Sequence, residues 1–302
     1  MQIKAQRMNA KIFFHLMGLS ALWGSNFIFT GTAAKVFGPN VSAALRISMG
    51  AATLAVIMKV LKEPWPEKKY WKELFILGAV AVALPHYLYN YSALRLPASY
   101  GSVMMITSVL FGVFASAWLK EDQLSAVKIG GSVIGFSGVA LIVRLGPATL
   151  TTDLLIGALT CGGAAFCSGL ATPLLKRATT RMQPLAITAS MHLTASILLT
   201  PFAITSLPNA GFSWYALGCL FITGVITSGL AYWQYMRIMI HISPIAALST
   251  NFMITGFGVF WAYLFVGEAI TSITFVGAVL VSIATIMVSG YRPWAGIDSS
   301  KT

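Results

Sequence analysis

Residues 97–143 occur twice in this chain, and the second copy lies 147 positions further on without a gap. Pro97 falls on Pro244, Ser102 on Ser249, Glu121 on Glu268 and Gly130 on Gly277. Apolar positions match easily in a greasy sequence, but Pro, Glu and Gly rarely match at one offset. In each copy a helix-length apolar run precedes the glutamate and another follows it. The repeat therefore demands a fold with two equivalent halves. In a membrane chain that is the sequence mark of many transporters.

Composition supplies the membrane. The 302 residues are 57% hydrophobic and 9% charged, against about 25% charged in an average soluble domain. The net charge of +12 would suit nucleic acid if it formed a patch. Instead all eight acids (Glu63, Glu67, Glu73, Glu121, Asp122, Asp153, Glu268, Asp298) lie at the edges of apolar runs or between them, as do most Lys and Arg. The basic excess is an orientation signal, and no nucleic-acid partner is expected. Cys161, Cys167 and Cys219 sit inside apolar runs, with no disulfide framework and no zinc spacing.

A bilayer core needs about 20 apolar residues per helix. Ten stretches qualify, at about 12–34, 41–61, 72–94, 98–119, 126–144, 154–175, 184–206, 213–236, 244–266 and 270–290. The basic first residues lead into the first run without a convincing cleavage site, which favours an uncleaved span over a signal peptide. Counting Lys and Arg on alternate sides gives 16 on the side of the termini and four (Lys35, Arg46, Arg95, Arg144) on the other. Positive charge stays inside, so both termini are expected in the cytoplasm.

The expected fold is an all-α membrane protein of ten transmembrane helices. It divides into a first five-helix repeat at 12–145 and a second at 152–290, with cytoplasmic tails at 1–11 and 291–302. Five is odd, so the second half enters from the opposite side, giving an inverted-topology repeat. Such pairs hold a site near the midplane between the halves and expose it to either side in turn. Gly131 and Gly135 form a small-xxx-small pair in the fifth span. It serves either packing within the chain or a homodimer face on the 126–144 helix.

No Ser/His/Asp arrangement, phosphate-cradling glycine loop or metal cluster is present, so neither catalysis nor a cofactor is expected. The candidates for function are polar and aromatic residues inside spans, which by default face a cavity or a partner. Arg46 could counter a substrate carboxylate, or snorkel to the outer interface. His192 lies at similar depth in the corresponding span of the second half. His86 and Asn90 are four apart on one face of the third span. The repeat carries His86 onto Trp233, so the eighth span is expected to present an aromatic to the same cavity. Ser108 shares a face with Met104, Thr107 and Phe111, and Thr255 is its image beside Asn251. Trp23 and Asn26 pair similarly in the first span. For the third span the plain alternative is an outer aromatic belt; for the fourth and ninth spans, and for the similar pair in the first, it is packing between helices.

No acid lies mid-span, which removes the usual carboxylate proton relay. If transport is proton-coupled, His86 or His192 is the group that titrates; otherwise the protein is a facilitator.

Ala21-Leu22-Trp23-Gly24-Ser25-Asn26-Phe27 resembles the opening of the EamA family of the drug/metabolite transporter superfamily. Arg46 matches an arginine often seen in that family's second span. Glu121-Asp122-Gln123-Leu124 followed by Gly130 and Gly138 resembles its repeat signature, as does Glu268-Ala269-Ile270-Thr271 followed by Gly277. The resemblance covers about residues 12–290. It implies two inverted five-helix halves and export of small metabolites, such as amino acids, across the inner membrane of a bacterium. In one respect the chain departs from the family, which usually has a proline thirteen residues before each repeat glutamate. Here Ser108 and Thr255 stand there, and hydroxyls bend a helix more weakly than proline does.

On these grounds the residues expected to bind substrate are Trp23, Asn26, Arg46, His86, Asn90, Ser108, Trp233, Asn251 and Thr255. The leading expectation is alternating-access export of amino-acid-like compounds. An exporter of lipophilic cations would tolerate loss of Arg46 and suffer from loss of aromatics. A non-transporting membrane sensor would need long loops or a soluble partner domain.

Overall fold

The computed structural model describes residues 10–93, 95, 98–143, 151–266 and 272–290. Every regular element among them is helical. The apolar run at the start forms α1 (Ala10–Gly24) and α2 (Asn26–Phe37), broken at Ser25. Gly38, at φ +77°, turns the chain into α3 (Pro39–Leu61). Proline suits the first turn of α3 because its missing N–H would be unsatisfied there anyway.

The third apolar run is one rod of three pieces: α4 (Trp71–Leu77), a π-helical stretch (Gly78–Ala83) and α5 (Leu84–Ala93). α6 (Ala98–Trp118), α7 (Ala126–Val143), α8 (Thr152–Ala178) and α9 (Pro184–Ser206) follow. The next rod repeats the earlier interruption, with α10 (Trp214–Phe221), a π-helical stretch (Ile222–Ala231) and α11 (Tyr232–Met239). α12 (Pro244–Leu248), α13 (Thr250–Val266) and α14 (Ser272–Ser289) complete the order. Thr151, Ser213 and Ser243 cap α8, α10 and α12 by accepting from Leu154, Ala216 and Ala246 N–H groups.

Seven helical rods among the described residues are long and apolar enough to cross a bilayer: Ala10–Phe37, Pro39–Leu61, Lys68–Ser92, Thr152–Ala178, Pro184–Asn209, Trp214–Met239 and Pro244–Phe265. The other three expected spans fall on α6, α7 and α14, whose apolar stretches Ile106–Trp118, Ala126–Leu141 and Phe275–Ser289 are shorter.

The principal packing partners come in matched sets. α1 lies on α13, and α6 lies on α8; α3 meets the second π-stretch, and α9 meets the first. α3 also packs on α9, and α7 on α14. Adding or subtracting 147 turns each of these pairs into another, or into itself.

Glycines let the backbones approach at these seams. A Cβ on Gly24 would stand 2.9 Å from Ile254 O, and one on Gly169 2.6 Å from Ser108 O. Side chains on Gly131 and Gly135 would strike Met287 and the ring of Phe252. The glycine face of α7 is therefore filled by α14 and α13 of the same chain, the packing use of the small-xxx-small pair. The outer face of α7, with Val127 and Val133 more than half exposed, is apolar, as lipid contact requires.

At one end of the bundle, short ion pairs knit the connections. Arg177 binds Glu121 at 2.7 Å, Arg181 binds Glu73 at 2.8 Å and Lys128 binds Asp122 at 2.7 Å. Arg177 also donates to Leu119 O, so the glutamate of the first repeat copy holds the end of α8 against the end of α6. Its image, Glu268, lies outside the described residues.

Candidate functional site

Arg46 sits two turns into α3. Its Nε donates to Ser228 Oγ at 2.8 Å, and Nη1 reaches Thr30 Oγ1 at 3.5 Å. None of the five ion pairs among the described residues includes it. The guanidinium thus rests on neutral hydroxyls inside a greasy protein, where a lone charge is expensive. Snorkelling does not describe it, because its donors point at α2 and at the π-stretch of the eighth apolar run.

Beside Arg46 is a narrow cleft of about 10 Å³, room for about one water molecule. Its polar lining is Thr30, Ser42, Arg46, His86, Asn90 and Thr223, and its apolar wall is Ala33, Ala43 and Leu220. His86 and Asn90, placed on one face by their spacing, do converge here with Arg46. His86 Nδ1 meets the Val82 carbonyl at 2.7 Å. A carbonyl only accepts, so Nδ1 carries the proton and Nε2 of the neutral ring is left as an acceptor. Asn90 Nδ2 makes a long contact of 3.4 Å with Pro39 O.

His192 and Trp23 belong to an adjoining aromatic cluster. The buried His192 ring stands edge-on to Tyr232 at 5.0 Å, and its Nδ1 contacts Thr188 O at 2.9 Å. Trp23 packs edge-on against Tyr232 and Tyr235, at 6.3 and 5.3 Å. Its indole N–H donates to Thr227 O at 3.1 Å, next to the Ser228 that holds Arg46. This chain of contacts joins the aromatic cluster to the cavity.

The remaining candidates lie elsewhere. Asn251 Nδ2 donates to Ser108 Oγ at 3.0 Å, and Thr255 Oγ1 donates to Asn251 O at 3.1 Å. The first bond ties α13 to α6 and the second stays within α13; Ser108 and Thr255 are buried. Trp233 packs with Leu54, Met58, Leu185 and Ala189, with the Arg237 guanidinium 5.6 Å from its ring. In the eighth run it is the neighbouring Tyr232 that meets His192 and Trp23. Both rods carry a π-stretch at matching positions, so the offset takes His86 to the equivalent place in the other half, where Trp233 packs against α3 and α9, and not to the same cavity. Asn26, at the start of α2, has a buried Oδ1 without a hydrogen-bond partner.

Sequence reasoning did not single out Ser228, Thr30, Ser42 or Thr223. Small hydroxyl residues are common in apolar helices, where they bond their own backbone. No spacing marks the few that turn to a cavity.

This arrangement can hold an anion against Arg46 within a neutral polar shell. The sequence profile of the EamA-like transporter family matches residues 11–144 and again residues 155–290. The chain belongs to the EamA-like transporter family. It is a multi-pass membrane transporter and not an enzyme. An uncharacterized transporter of Archaeoglobus fulgidus is 24% identical over 218 residues, covering 70% of this chain and 75% of that one. The uncharacterized transporter YvbV of Bacillus subtilis is 23% identical, covering 90% and 89%. A probable terminal-alkyne amino-acid exporter of Streptantibioticus cattleyicolor is 21% identical, covering 89% and 90%. A protein of known crystal structure, 14% identical, shares the fold with a TM-score of 0.81 over 93% of this chain and 99% of its own.

Proposed function

We propose that this EamA-family transporter is an alternating-access exporter of amino acids or amino-acid-like compounds in the inner membrane. The observation that carries the reading is Arg46, a cation seated on hydroxyls at the edge of a small polar cavity, without a carboxylate partner among the described residues. A substrate carboxylate supplies the missing counter-charge through a charge-assisted pair. The Streptantibioticus relative, named as a probable amino-acid exporter, supports the same substrate class.

The exchange of helix pairs under the 147-residue offset supports two inverted five-helix repeats. The 16-to-four division of Lys and Arg supports ten spans with cytoplasmic termini. In this orientation the Glu121, Asp122 and Glu73 ion pairs lie at the cytoplasmic end.

The test is flux in liposomes containing only this protein, with a panel of amino acids and aromatic cations, with and without a pH gradient. Amino acids should move. Arg46→Gln should lower their flux by about a hundredfold, the usual consequence of removing one partner of a buried charge pair, and Arg46→Lys should retain more of it. Full activity in Arg46→Gln, with aromatic cations as the transported species, would transfer the protein to the lipophilic-cation class. His86 and His192 are the proposed proton-coupling groups. An unchanged pH dependence in a double His→Gln variant removes them from that role.

A further inference from the structure

We infer that the cavity recognises a zwitterion, with Arg46 taking the carboxylate and Asn26 Oδ1 together with His86 Nε2 taking the α-ammonium. This rests on the amino-acid reading above and narrows it to neutral α-amino acids carrying a free amine.

The ammonium of an amino acid needs acceptors, and the usual acceptor, a carboxylate, is absent from the interior of the spans. What is present instead is a pair of unengaged neutral acceptors. Asn26 Oδ1 is buried without a partner. Buried polar atoms are nearly always satisfied, so an exception calls for an explanation, and a missing ligand is one.

Asn26 lies in α2 one turn before Thr30, and residues four apart share a helix face. Thr30 lines the cavity and receives Arg46 Nη1, so the Asn26 amide is carried on the helix face that borders the anion site. His86 Nε2 is the second acceptor, because the Val82 carbonyl fixes the proton on Nδ1. His86 comes from α5, on a different side of the cavity. A cationic group and two acceptors on three separate helices match the two ends of a zwitterion.

The chemistry also predicts what is excluded. An α-hydroxy acid keeps the carboxylate but offers one O–H in place of three N–H donors and a charge. It leaves an acceptor unpaired, which is costly in a buried site. A second carboxylate would meet the same acceptors and be repelled by them.

The experiment measures flux of a panel of neutral L-amino acids, each beside its α-hydroxy acid counterpart, in liposomes containing wild type, Asn26→Leu, Asn26→Asp or Arg46→Gln. Wild type should move the amino acids about tenfold faster than their counterparts. Asn26→Leu should bring the ratio to within about threefold while the residual flux still depends on Arg46. Asn26→Asp keeps an acceptor, so it should retain the preference, and it serves where Asn26→Leu does not fold.

Equal flux of both series in wild type would overturn the inference, as would an unchanged ratio in Asn26→Leu or loss of the preference in a folded Asn26→Asp. Insensitivity to Arg46→Gln would instead overturn the amino-acid reading on which it rests.

Discussion

The seam between α7 and α14 and the cavity around Arg46 are products of the same duplication, yet they treat it in opposite ways. Under a shift of 147 residues the seam maps onto itself. Gly130 and Gly277 are equivalent positions, and Gly131 and Gly138 admit the facing helix. The cavity does not map onto itself. The images of Arg46 and His86 are Leu193 and Trp233, and the second half contributes hydroxyls and rings where the first contributes charge and hydrogen-bonding capacity. Small residues on either helix let backbones approach closely in a bilayer, and both copies keep glycine at the shared position, so symmetry survives there. The proposed ligand, with two different ends, would gain nothing from a symmetric site, in keeping with the loss of symmetry there.

The comparison is most easily broken at the seam. Gly138→Leu should abolish monodisperse protein in detergent, because the new side chain has no room beside Leu280 and the Gly277 carbonyl of α14. Gly18→Leu, where a Cβ meets nothing within 4 Å, should chromatograph like wild type. Equal behaviour of the two variants would mean that the seam is not a close one.

Trp23→Phe sharpens the contrast from the side of the cavity. It keeps a ring against Tyr235 but removes the N–H donated to Thr227 O. Flux should fall by about fivefold with the fold intact, the size of one ordinary hydrogen bond. An unchanged rate would detach the aromatic cluster from the transport cycle.

The smallest effect is expected at Trp233. It packs with Leu54 and Leu185, outside the cavity lining, so Trp233→Phe should leave flux within about twofold. A large loss there would assign the substrate path to the other side of α11.

Much of the site was within reach of the sequence. His86 and Asn90 share a face because α5 is regular between them. Arg46 was conspicuous as a charge inside an apolar run. Ser108, Asn251 and Thr255 were equally conspicuous as polar residues, and the structure uses Asn251 and Ser108 to link α13 to α6 while Thr255 bonds back within α13. Hydropathy registers that a polar group is buried but not whether its partner is a protein group or a ligand. The Asn26 carbonyl oxygen is the converse case: only the folded chain reveals that none of the described residues satisfies it.

By itself, the sequence determined the membrane, the repeat and the helical class, because apolar length and internal spacing are properties read along one dimension. The tertiary structure decided which faces meet. It set Ser228 and Thr30 beneath Arg46, filled the glycine stripe of α7 with α14, and turned Tyr232 rather than Trp233 toward His192. These outcomes depend on how rods cross and on which faces they then turn to one another. Periodicity within a single segment carries neither kind of information.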